Sequence, residues 1–292
     1  MNTVLIVGCG DVAQRALSWL VRRFRVIAMI RDEGQRVALR KLGVRAIHAD
    51  LDDFASLRRL AGVADYVIHT APPARDGDHD LRTRRLLAAL CASAHRPRRL
   101  VYISTTGVYG DCDGAFVDET RPVNAESARA RRRVDAEQVI RRTAARGVTQ
   151  AVVLRAPGIY AADRLPLDRL RRGDPALRAE EDVFTNHIHA DDLARLVGLA
   201  LFRGGNGRVF NACDASDMRM GEYFDAVADH VGLPRPPRVS RAELASQVSA
   251  MTLSFMRESR RLGNRRLTRE LRVSLTYPDI QAGLADVPPA IT

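Results

Sequence analysis

A cluster of hydroxyl-bearing residues follows one apolar segment closely enough to share a site. Ser104, Thr105 and Tyr109 come directly after the strand-like segment 99–103. Polar groups at the carboxyl end of a strand lie where open α/β sheets bind their ligands. Thr105 could hydrogen-bond a substrate oxygen, and a phenol, Tyr109 or Tyr160, could transfer a proton to a substrate carbonyl. The same hydroxyls could instead satisfy backbone groups at the strand end, and Tyr109 could pack as a structural residue.

The start of the chain carries a turn that suits a phosphate group. Apolar residues 4–7 run into a Gly-x-Gly-x-x-Ala turn, and a helical spacing of apolar residues follows. Gly8 permits a turn that a side chain would block, Gly10 lets the backbone approach a pyrophosphate, and Ala13 allows close helix packing. The helix then offers free N–H groups and the positive end of its dipole. We predict a dinucleotide site that includes Gly8, Cys9, Gly10, Asp11 and Val12. The alternative is a glycine turn without a ligand.

The end of the second strand indicates which dinucleotide is bound. The apolar segment 25–30 ends at Arg31-Asp32. An acid at this point binds the ribose 2′-hydroxyl of NAD, whereas an arginine accommodates the 2′-phosphate of NADP. Arg31 comes first, and its guanidinium fork suits a phosphate. We therefore favour NADP(H), while Asp32 leaves NAD(H) open and Arg31 could also be a surface arginine in a polar loop.

The end of the third strand is expected to approach the adenine. Asp50-Leu51 follow the apolar segment 46–49. Asp50 at this end can accept a hydrogen bond from the adenine amino group. Asp52 or Asp53 is expected to cap the next helix, and all three acids could have that role alone.

The fourth strand, 66–70, ends in a stretch that could support a cofactor. Thr70-Ala71-Pro72 is followed by a second proline, and small residues with prolines make a rigid loop. His69 lies inside the apolar strand, so we expect it to be a packed histidine. The predicted cofactor cleft therefore includes Thr70, Ala71 and Pro72.

Alternating strands and helices are the elements that must position these groups. Strand patterns occur at 4–7, 25–30, 46–49, 66–70, 99–103 and 150–155, with helical patterns at 33–42, 54–60, 79–94 and 126–143 between them. This alternation predicts an α/β fold, a Rossmann-type doubly wound parallel sheet. We expect residues 1–160 to form the dinucleotide-binding domain, which also receives 187–214. Residues 161–292 should form a smaller, mostly helical substrate-binding part interleaved with it.

Composition argues against several classes of protein. The 292 residues are 46% apolar, enough for a core, but they contain no apolar stretch long enough for a membrane span. The chain starts on a strand that carries a motif, so we expect no signal peptide. Its four cysteines are far apart, which favours free thiols and a cytoplasmic location.

The formal net charge of +11 raises the question of nucleic-acid binding. Lys41 is the only lysine, so the excess charge is carried by arginine and resembles a compositional bias. The densest run, 129–133, lies on a predicted helix without interleaved aromatic residues for base stacking. We therefore expect a small-molecule substrate and neither a nucleic-acid partner nor a membrane.

A histidine-rich segment raises the question of a metal-binding site. His187 and His189 alternate on a predicted strand and precede Asp191 and Asp192. Alternate residues of a strand share a face. No further ligand is apparent, and either aspartate could cap the following helix. We expect no metal site.

Through these motifs, the chain resembles the extended short-chain dehydrogenase/reductase superfamily, and in particular its NAD-dependent epimerase/dehydratase-like members. The resemblance rests on the motifs Gly8-Cys9-Gly10, Asp50-Leu51, Ser104-Thr105, Val108-Tyr109-Gly110, Arg155 to Tyr160, Ile188 to Asp192, and Asn211 with Asp214. It implies a Rossmann domain with a smaller domain that closes over a nucleotide-linked or other small substrate. The resemblance also implies that Pro157 contacts the cofactor and that Thr105 is the family's catalytic serine or threonine.

The chain departs from the family at its catalytic pair, which is Tyr-x-x-x-Lys. With Lys41 as the only lysine and Val37 four residues before it, no such pair exists. Alignment on Glu137 puts Arg129 at the tyrosine position and Arg133 at the lysine position. Arginine stays protonated, so Arg133 could hold a ribose or supply charge, but Arg129 cannot shuttle protons near neutral pH. The chain therefore resembles an atypical member.

We expect an NAD(P)-binding oxidoreductase or epimerase/dehydratase-like protein that acts on a small carbonyl, carbinol or nucleotide-linked substrate. Thr105, Tyr109 and Arg133 are its candidate catalytic residues. The alternative is a non-catalytic NADP(H)-binding sensor or scaffold. Family resemblance also suggests a homodimer through helices 81–94 and 129–143.

Overall fold

Strands and helices alternate through the computed structural model, which describes residues 1–248, 253 and 256–288. The strands are β1 (Thr3–Val7), β2 (Arg25–Ile30), β3 (Val44–His48), β4 (Tyr66–His69), β5 (Arg99–Thr105), β6 (Phe116–Val117), β7 (Gln150–Ala156), β8 (Gly158–Tyr160), β9 (Ala176–Leu177), β10 (Phe184–Thr185), β11 (His187–His189), β12 (Arg208–Asn211), β13 (Met218–Arg219), β14 (Arg238–Val239) and β15 (Arg261–Leu262). The α-helices are α1 (Asp11–Leu20), α2 (Gln35–Lys41), α3 (Leu81–Cys91), α4 (Ala128–Ala145), α5 (Leu167–Arg171), α6 (Ala190–Ala200), α7 (Met220–His230), α8 (Arg241–Gln247), α9 (Arg265–Arg269) and α10 (Ile280–Ala285). Short 3-10 helices span Ser56–Leu60, Thr106–Tyr109 and Ala162–Arg164.

Seven of the strands form one sheet in the order β12-β7-β5-β4-β1-β2-β3. All of its pairings are parallel. The chain runs outward from β1 to β3 and then returns to place β4 on the other side of β1. This reversal leaves a crevice at the carboxyl ends of β1 and β4, where open α/β sheets bind ligands. The predicted Rossmann-type, doubly wound α/β fold is confirmed.

Helices cover both faces of the sheet because their apolar residues recur at helical spacing. On one face, α1 buries Ala13 and Leu17, and α6 buries Leu193 and Val197. A Cβ at Gly198 would lie 3.0 Å from the Trp19 ring, so the glycine lets α1 and α6 approach closely. On the other face, α3 and α4 bury the apolar residues that pack against β4, β5 and β7.

Two predicted elements differ from the structure. The helix expected at 54–60 is a five-residue 3-10 helix, Ser56–Leu60. Short runs of this kind are where 3-10 helices are commonly found, as connectors between longer elements. In the C-terminal segment, which was predicted to be mostly helical, the helices α7 to α10 hold fewer than half of the described residues, and the two-residue strands β13, β14 and β15 pair with β10, β9 and β6.

A separate apolar core holds the C-terminal elements together. Its buried members include Tyr160 from β8, Tyr223 and Phe224 from α7, Leu244 from α8 and Ile280 from α10. Because Tyr160 also follows the sheet strand β7 by a few residues, this core sits against the carboxyl edge of the sheet. No helix in the described part of the chain has the length and apolarity needed to cross a membrane.

Candidate functional site

A cleft of about 790 Å³ opens at the carboxyl edge of the sheet. The structure brings all of the predicted cofactor-binding residues to its lining: Gly8, Cys9, Gly10, Asp11, Val12, Arg31, Asp50, Leu51, Thr70, Ala71, Pro72 and Pro157. Thr105 and Arg133 line the same cleft. Its volume lies within the range of small-molecule and cofactor sites.

The glycine turn has the geometry that a phosphate site requires. Gly8 has a φ of +92°, and a Cβ there would lie 2.5 Å from the Ala71 backbone nitrogen, so no other residue fits without a shift. Beside Gly10, by contrast, a Cβ would meet no described atom within 4 Å, which leaves its backbone open to the cleft. The Thr70 hydroxyl donates to the Gly8 carbonyl and ties the turn to β4.

An ion-pair network surrounds the N-terminus of α1. Asp11 accepts hydrogen bonds from Arg15 at 2.9 Å and from Arg164 at 2.8 Å. Burial opposes ionisation of Asp11, but the hydrogen bonds from Arg164 and Arg15 outweigh it and lower the pKa. Arg15 also pairs with Asp163 and Asp191. The network neutralises a carboxylate in the first helical turn and anchors the segment around Arg164 at the mouth of the cleft.

The residues after β2 line the end of the cleft where the sequence predicts the ribose. Arg31 and Asp32 both line it. One carboxylate oxygen of Asp32 accepts a hydrogen bond from the Gly34 backbone N–H at 2.8 Å, so it is already engaged within the turn. Arg31 is exposed at the cleft, and its carbonyl is paired with His48 Nε2 at 3.1 Å.

The acids after β3 have separate roles. Asp50 lines the cleft, as expected of a residue that faces the adenine. Asp53 accepts from the Ala55 N–H at 3.0 Å just before the 3-10 helix, whereas Asp52 is paired with Arg82. Arg82 also lines the cleft, and sequence reasoning missed it because it lies inside the α3 helical pattern without any motif.

The end of the cleft nearest β5 holds Thr105 and Arg133. The Thr105 Oγ1 atom accepts a hydrogen bond from the Gly107 N–H at 3.2 Å, which leaves its own proton available to a ligand. Arg133 Nη1 donates to the Tyr102 hydroxyl and to the Ile103 carbonyl, each at 2.8 Å. These bonds hold the guanidinium at the wall of the cleft, where the alignment on Glu137 expects the family lysine.

Neither tyrosine offers a proton-transfer group to this cleft. Tyr109 is 1% exposed, and its hydroxyl donates to Asn211 Oδ1 at 2.7 Å. It lines neither this cleft nor the smaller one that adjoins it, so the structure gives it the packing role that the sequence left open. The Tyr160 hydroxyl donates to the Asp279 carbonyl at 3.1 Å. Burial raises the pKa of both phenols.

A second cleft of about 340 Å³ adjoins the first. The two share Thr105, Pro157, Ile159 and Arg164 in their linings. The second cleft is formed between the carboxyl edge of the sheet and the C-terminal elements. Thr105 therefore stands at the junction of a large cleft and a small one.

Charged and polar side chains line this second cleft, and the sequence analysis assigned none of them to a substrate site. They include Arg129, His187, Glu258 and Arg260. Arg260 Nη1 donates to Glu258 Oε2 at 2.7 Å. Burial lowers the pKa of Arg129, an effect that the nearby Glu258 charge opposes. Glu258 and Arg260 come from a distant part of the sequence, and no local pattern could have associated them with Thr105.

Two other histidines that the sequence singled out, His69 and His189, have structural contacts. His189 caps α6, where its Nδ1 accepts from the Asp191 N–H at 3.2 Å, and Asp192 accepts from the backbone of 276 and 277. His69 is buried and paired with the Thr83 hydroxyl at 2.9 Å. Burial, with a contribution from Arg133, lowers the pKa of His69 to about 3.

Comparisons with known proteins agree with this geometry. A family model described as NAD(P)H-binding matches residues 8–198. Protein YeeZ of Escherichia coli (strain K12) is 27% identical over 247 residues, which are 81% of this chain and 86% of YeeZ.

Solved structures extend the similarity over nearly the whole chain. A functionally unknown conserved protein from Silicibacter pomeroyi DSS is 30% identical with a TM-score of 0.82, over 98% of this chain and 99% of that one. UDP-glucose 4-epimerase from Thermotoga maritima, solved with UDP-glucose, has a TM-score of 0.78 over 97% and 96% of the two chains. Its identity is 18%, so this likeness concerns the fold alone. The chain belongs to the NAD(P)H-binding family, and its fold is that of the NAD-dependent epimerase/dehydratase-like members of the extended short-chain dehydrogenase/reductase superfamily.

Proposed function

We propose that the protein is an NADP(H)-dependent oxidoreductase that acts on a small carbonyl or carbinol compound. One observation carries this proposal: the dinucleotide cleft and a smaller cleft meet at Thr105. A dinucleotide in the first cleft and a substrate in the second would have their reacting ends at this junction. The four free cysteines fit the reducing cytoplasm in which we propose that the protein works.

Residues of the chain can assist such a reaction without a tyrosine. A bound nicotinamide supplies or accepts the hydride. Thr105 has a hydroxyl proton to donate to a substrate oxygen, and this bond strengthens as negative charge develops there. Arg133 is held at the wall of the cleft by two hydrogen bonds and adds positive charge on the same side.

The preference for NADP(H) over NAD(H) is supported by the contacts at the ribose end. Arg31 is exposed to the cleft, whereas one oxygen of Asp32 is occupied by the Gly34 N–H. A guanidinium is a bidentate partner for a phosphate, and an engaged carboxylate is a weaker partner for a ribose hydroxyl.

A pair of fluorescence titrations tests the cofactor assignment. NADPH and NADH are titrated into the purified protein, its Arg31→Ala variant and the control Arg22→Ala, which removes an exposed arginine outside the cleft. We expect NADPH to bind more tightly than NADH, and Arg31→Ala to weaken NADPH binding at least tenfold with little effect on NADH. Equal affinities that Arg31→Ala leaves unchanged would remove the phosphate role of Arg31.

Turnover is tested by the loss of absorbance of the reduced nicotinamide with a panel of carbonyl compounds. Thr105→Val should lower the rate without weakening NADPH binding. Activity that survives Thr105→Val unchanged would contradict the role proposed for this hydroxyl.

The second candidate function is a non-catalytic NADP(H)-binding sensor or scaffold, in an atypical family member. Two observations favour it: the alignment on Glu137 puts Arg129 where the family has its proton-transferring tyrosine, and Tyr109 is buried. Tight NADPH binding together with no oxidation of NADPH across a broad carbonyl panel would support this candidate over the first.

A further inference from the structure

The second cleft carries an unbalanced charge. Two of its arginines, Arg129 and Arg260, lie near Glu258, the one acidic residue among the described residues of the lining. Glu258 Oε2 lies 3.8 Å from where a Cβ of Gly107 would stand, which puts this charge close to Thr105. The third arginine of the lining, Arg164, is paired with Asp11 at 2.8 Å. Two positive charges, on Arg129 and Arg260, and one negative charge, on Glu258, give these lining side chains a formal charge of +1.

Arg260 is held in place with part of its hydrogen-bonding capacity unused. Its Nη1 donates to Glu258 and to the Gly110 carbonyl, at 2.7 and 2.8 Å. Its buried Nε has no partner among the described residues. Arg129 lies in the first turn of α4, so the helix dipole adds to the positive potential at this side of the cleft.

His187 supplies a neutral polar group on another wall. It is 5% exposed yet lines the cleft, and its ring lies 4.2 Å from the Tyr223 ring, centroid to centroid. Burial lowers the pKa of His187 to about 3, so the imidazole is neutral at pH 7. A neutral imidazole has one donor nitrogen and one acceptor nitrogen.

The tautomer of His187 follows from its surroundings. Nδ1 is buried and has no partner among the described residues. Buried N–H groups without a partner are rarer than buried acceptors without one, which favours the proton on Nε2. Nε2 lies 3.7 Å from where a Cβ of Gly158, another lining residue, would stand. His187 can then donate a hydrogen bond to a ligand in the cleft.

Size and apolar lining restrict the ligand further. The second cleft has less than half the volume of the first, about 340 against 790 Å³. A nucleoside diphosphate sugar approaches a dinucleotide in size and carries two negative charges, so a small monoanion matches this volume and formal charge better. Phe184, Tyr223 and Phe224 offer aromatic surface to a flat or apolar group.

We propose that the second cleft binds a small oxo or hydroxy carboxylate. Arg129 and Arg260 hold its carboxylate, and His187 donates to its carbonyl or hydroxyl oxygen. The proposal rests on the proposed function for its location, since it names the substrate class of the same site. A carboxylate matches the single excess charge and the planar fork of a guanidinium.

Calorimetric titration with benzoylformate and its methyl ester tests the proposal, with and without saturating NADP⁺. The two probes share a carbonyl and a ring and differ in charge. We expect benzoylformate to bind at least tenfold more tightly than the ester, and Arg129→Ala to abolish this difference. Arg131→Ala is the matched control, because Arg131 lies on the same helix but pairs with Asp78. His187→Phe should weaken both probes by a similar factor.

The outcomes separate this proposal from the proposed function. Equal binding of the two probes, or a preference that Arg129→Ala leaves unchanged, overturns the carboxylate assignment even if NADPH is bound and oxidised. Tighter binding of phenyl phosphate than of benzoylformate would overturn it in favour of a phosphate. If NADP⁺ fails to bind while the carboxylate preference persists in its absence, the proposed function fails and the anion site remains.

Discussion

Removal of the Glu137 carboxylate should destabilise the fold more than any surface change. The Glu137 and Arg155 side chains are each 4% exposed and are 2.7 Å apart. The Ser104 hydroxyl donates to Glu137 Oε1 at 2.5 Å, and the Arg155 guanidinium lies 4.7 Å from the centre of the Tyr109 ring. Burial lowers the pKa of Arg155, but its hydrogen bonds to Glu137 outweigh burial and raise it. In Glu137→Leu, a permanent positive charge is left buried without its partner.

The expected cost follows from this burial. Breaking one side of a buried ion pair costs about 3–5 kcal/mol. Arg155 Nη1 already has no hydrogen-bond partner among the described residues, so no other acceptor is at hand. At about 2–4 °C per kcal/mol for a domain of this size, the melting temperature should fall by roughly 6–20 °C.

Urea unfolding and thermal melts of three variants measure this effect. The double variant Glu137→Leu with Arg155→Met should recover most of the loss, because an apolar pair of similar volume needs no charge compensation. Arg131→Ala, which removes an exposed ion pair, should leave the melting temperature within experimental error. A Glu137→Leu protein as stable as the parent chain would refute the reasoning, as would a double variant less stable than the single one.

Three further changes test other parts of the structure. Gly8→Ala should weaken NADPH binding at least tenfold in the fluorescence titration, because the added Cβ would lie 2.5 Å from the Ala71 nitrogen and displace the phosphate turn; unchanged affinity would contradict this. Burial raises the pKa of Asp214 to about 7, so the native chain keeps a proton between about pH 4 and 7 that the unfolded chain releases. Stability should therefore fall as the pH rises through this window, and Asp214→Asn should flatten the fall in urea titrations at pH 5 and pH 8. Tyr109→Phe should lower the free energy of unfolding by about 1–2 kcal/mol, because the hydrogen bond to Asn211 is lost, and should leave the NADPH affinity unchanged. A loss of NADPH affinity in this variant would indicate that Tyr109 contributes to the binding site.

The sequence predicted which residues would gather at the larger cleft because their positions follow from short-range rules. The glycine turn, the residue after β2 and the loop after β4 each lie within a few residues of a strand end. In a parallel sheet, the carboxyl ends of all strands share one edge. Recognising the strands was therefore sufficient to gather Gly8, Arg31, Asp50 and Thr70 around one cleft.

The same rules could not decide what each polar side chain contacts. Tyr109 follows a strand end as Thr105 does, but its hydroxyl turns inward to Asn211, a residue of the distant strand β12. Arg82 reaches the cofactor cleft from within an ordinary helical pattern. Such outcomes depend on which side chains are neighbours in space, and local spacing does not contain that information.

By itself, the sequence determined the fold class and the edge of the sheet at which the predicted cofactor-binding residues meet, because hydrophobic periodicity and glycine conformation are local properties. Only the tertiary structure decided the composition of the second cleft. Its lining joins Thr105 with His187 and Arg260, which are brought together by the packing of the C-terminal elements against the sheet. Their burial and charge arise from that packing, since each residue alone would be an ordinary polar side chain in water.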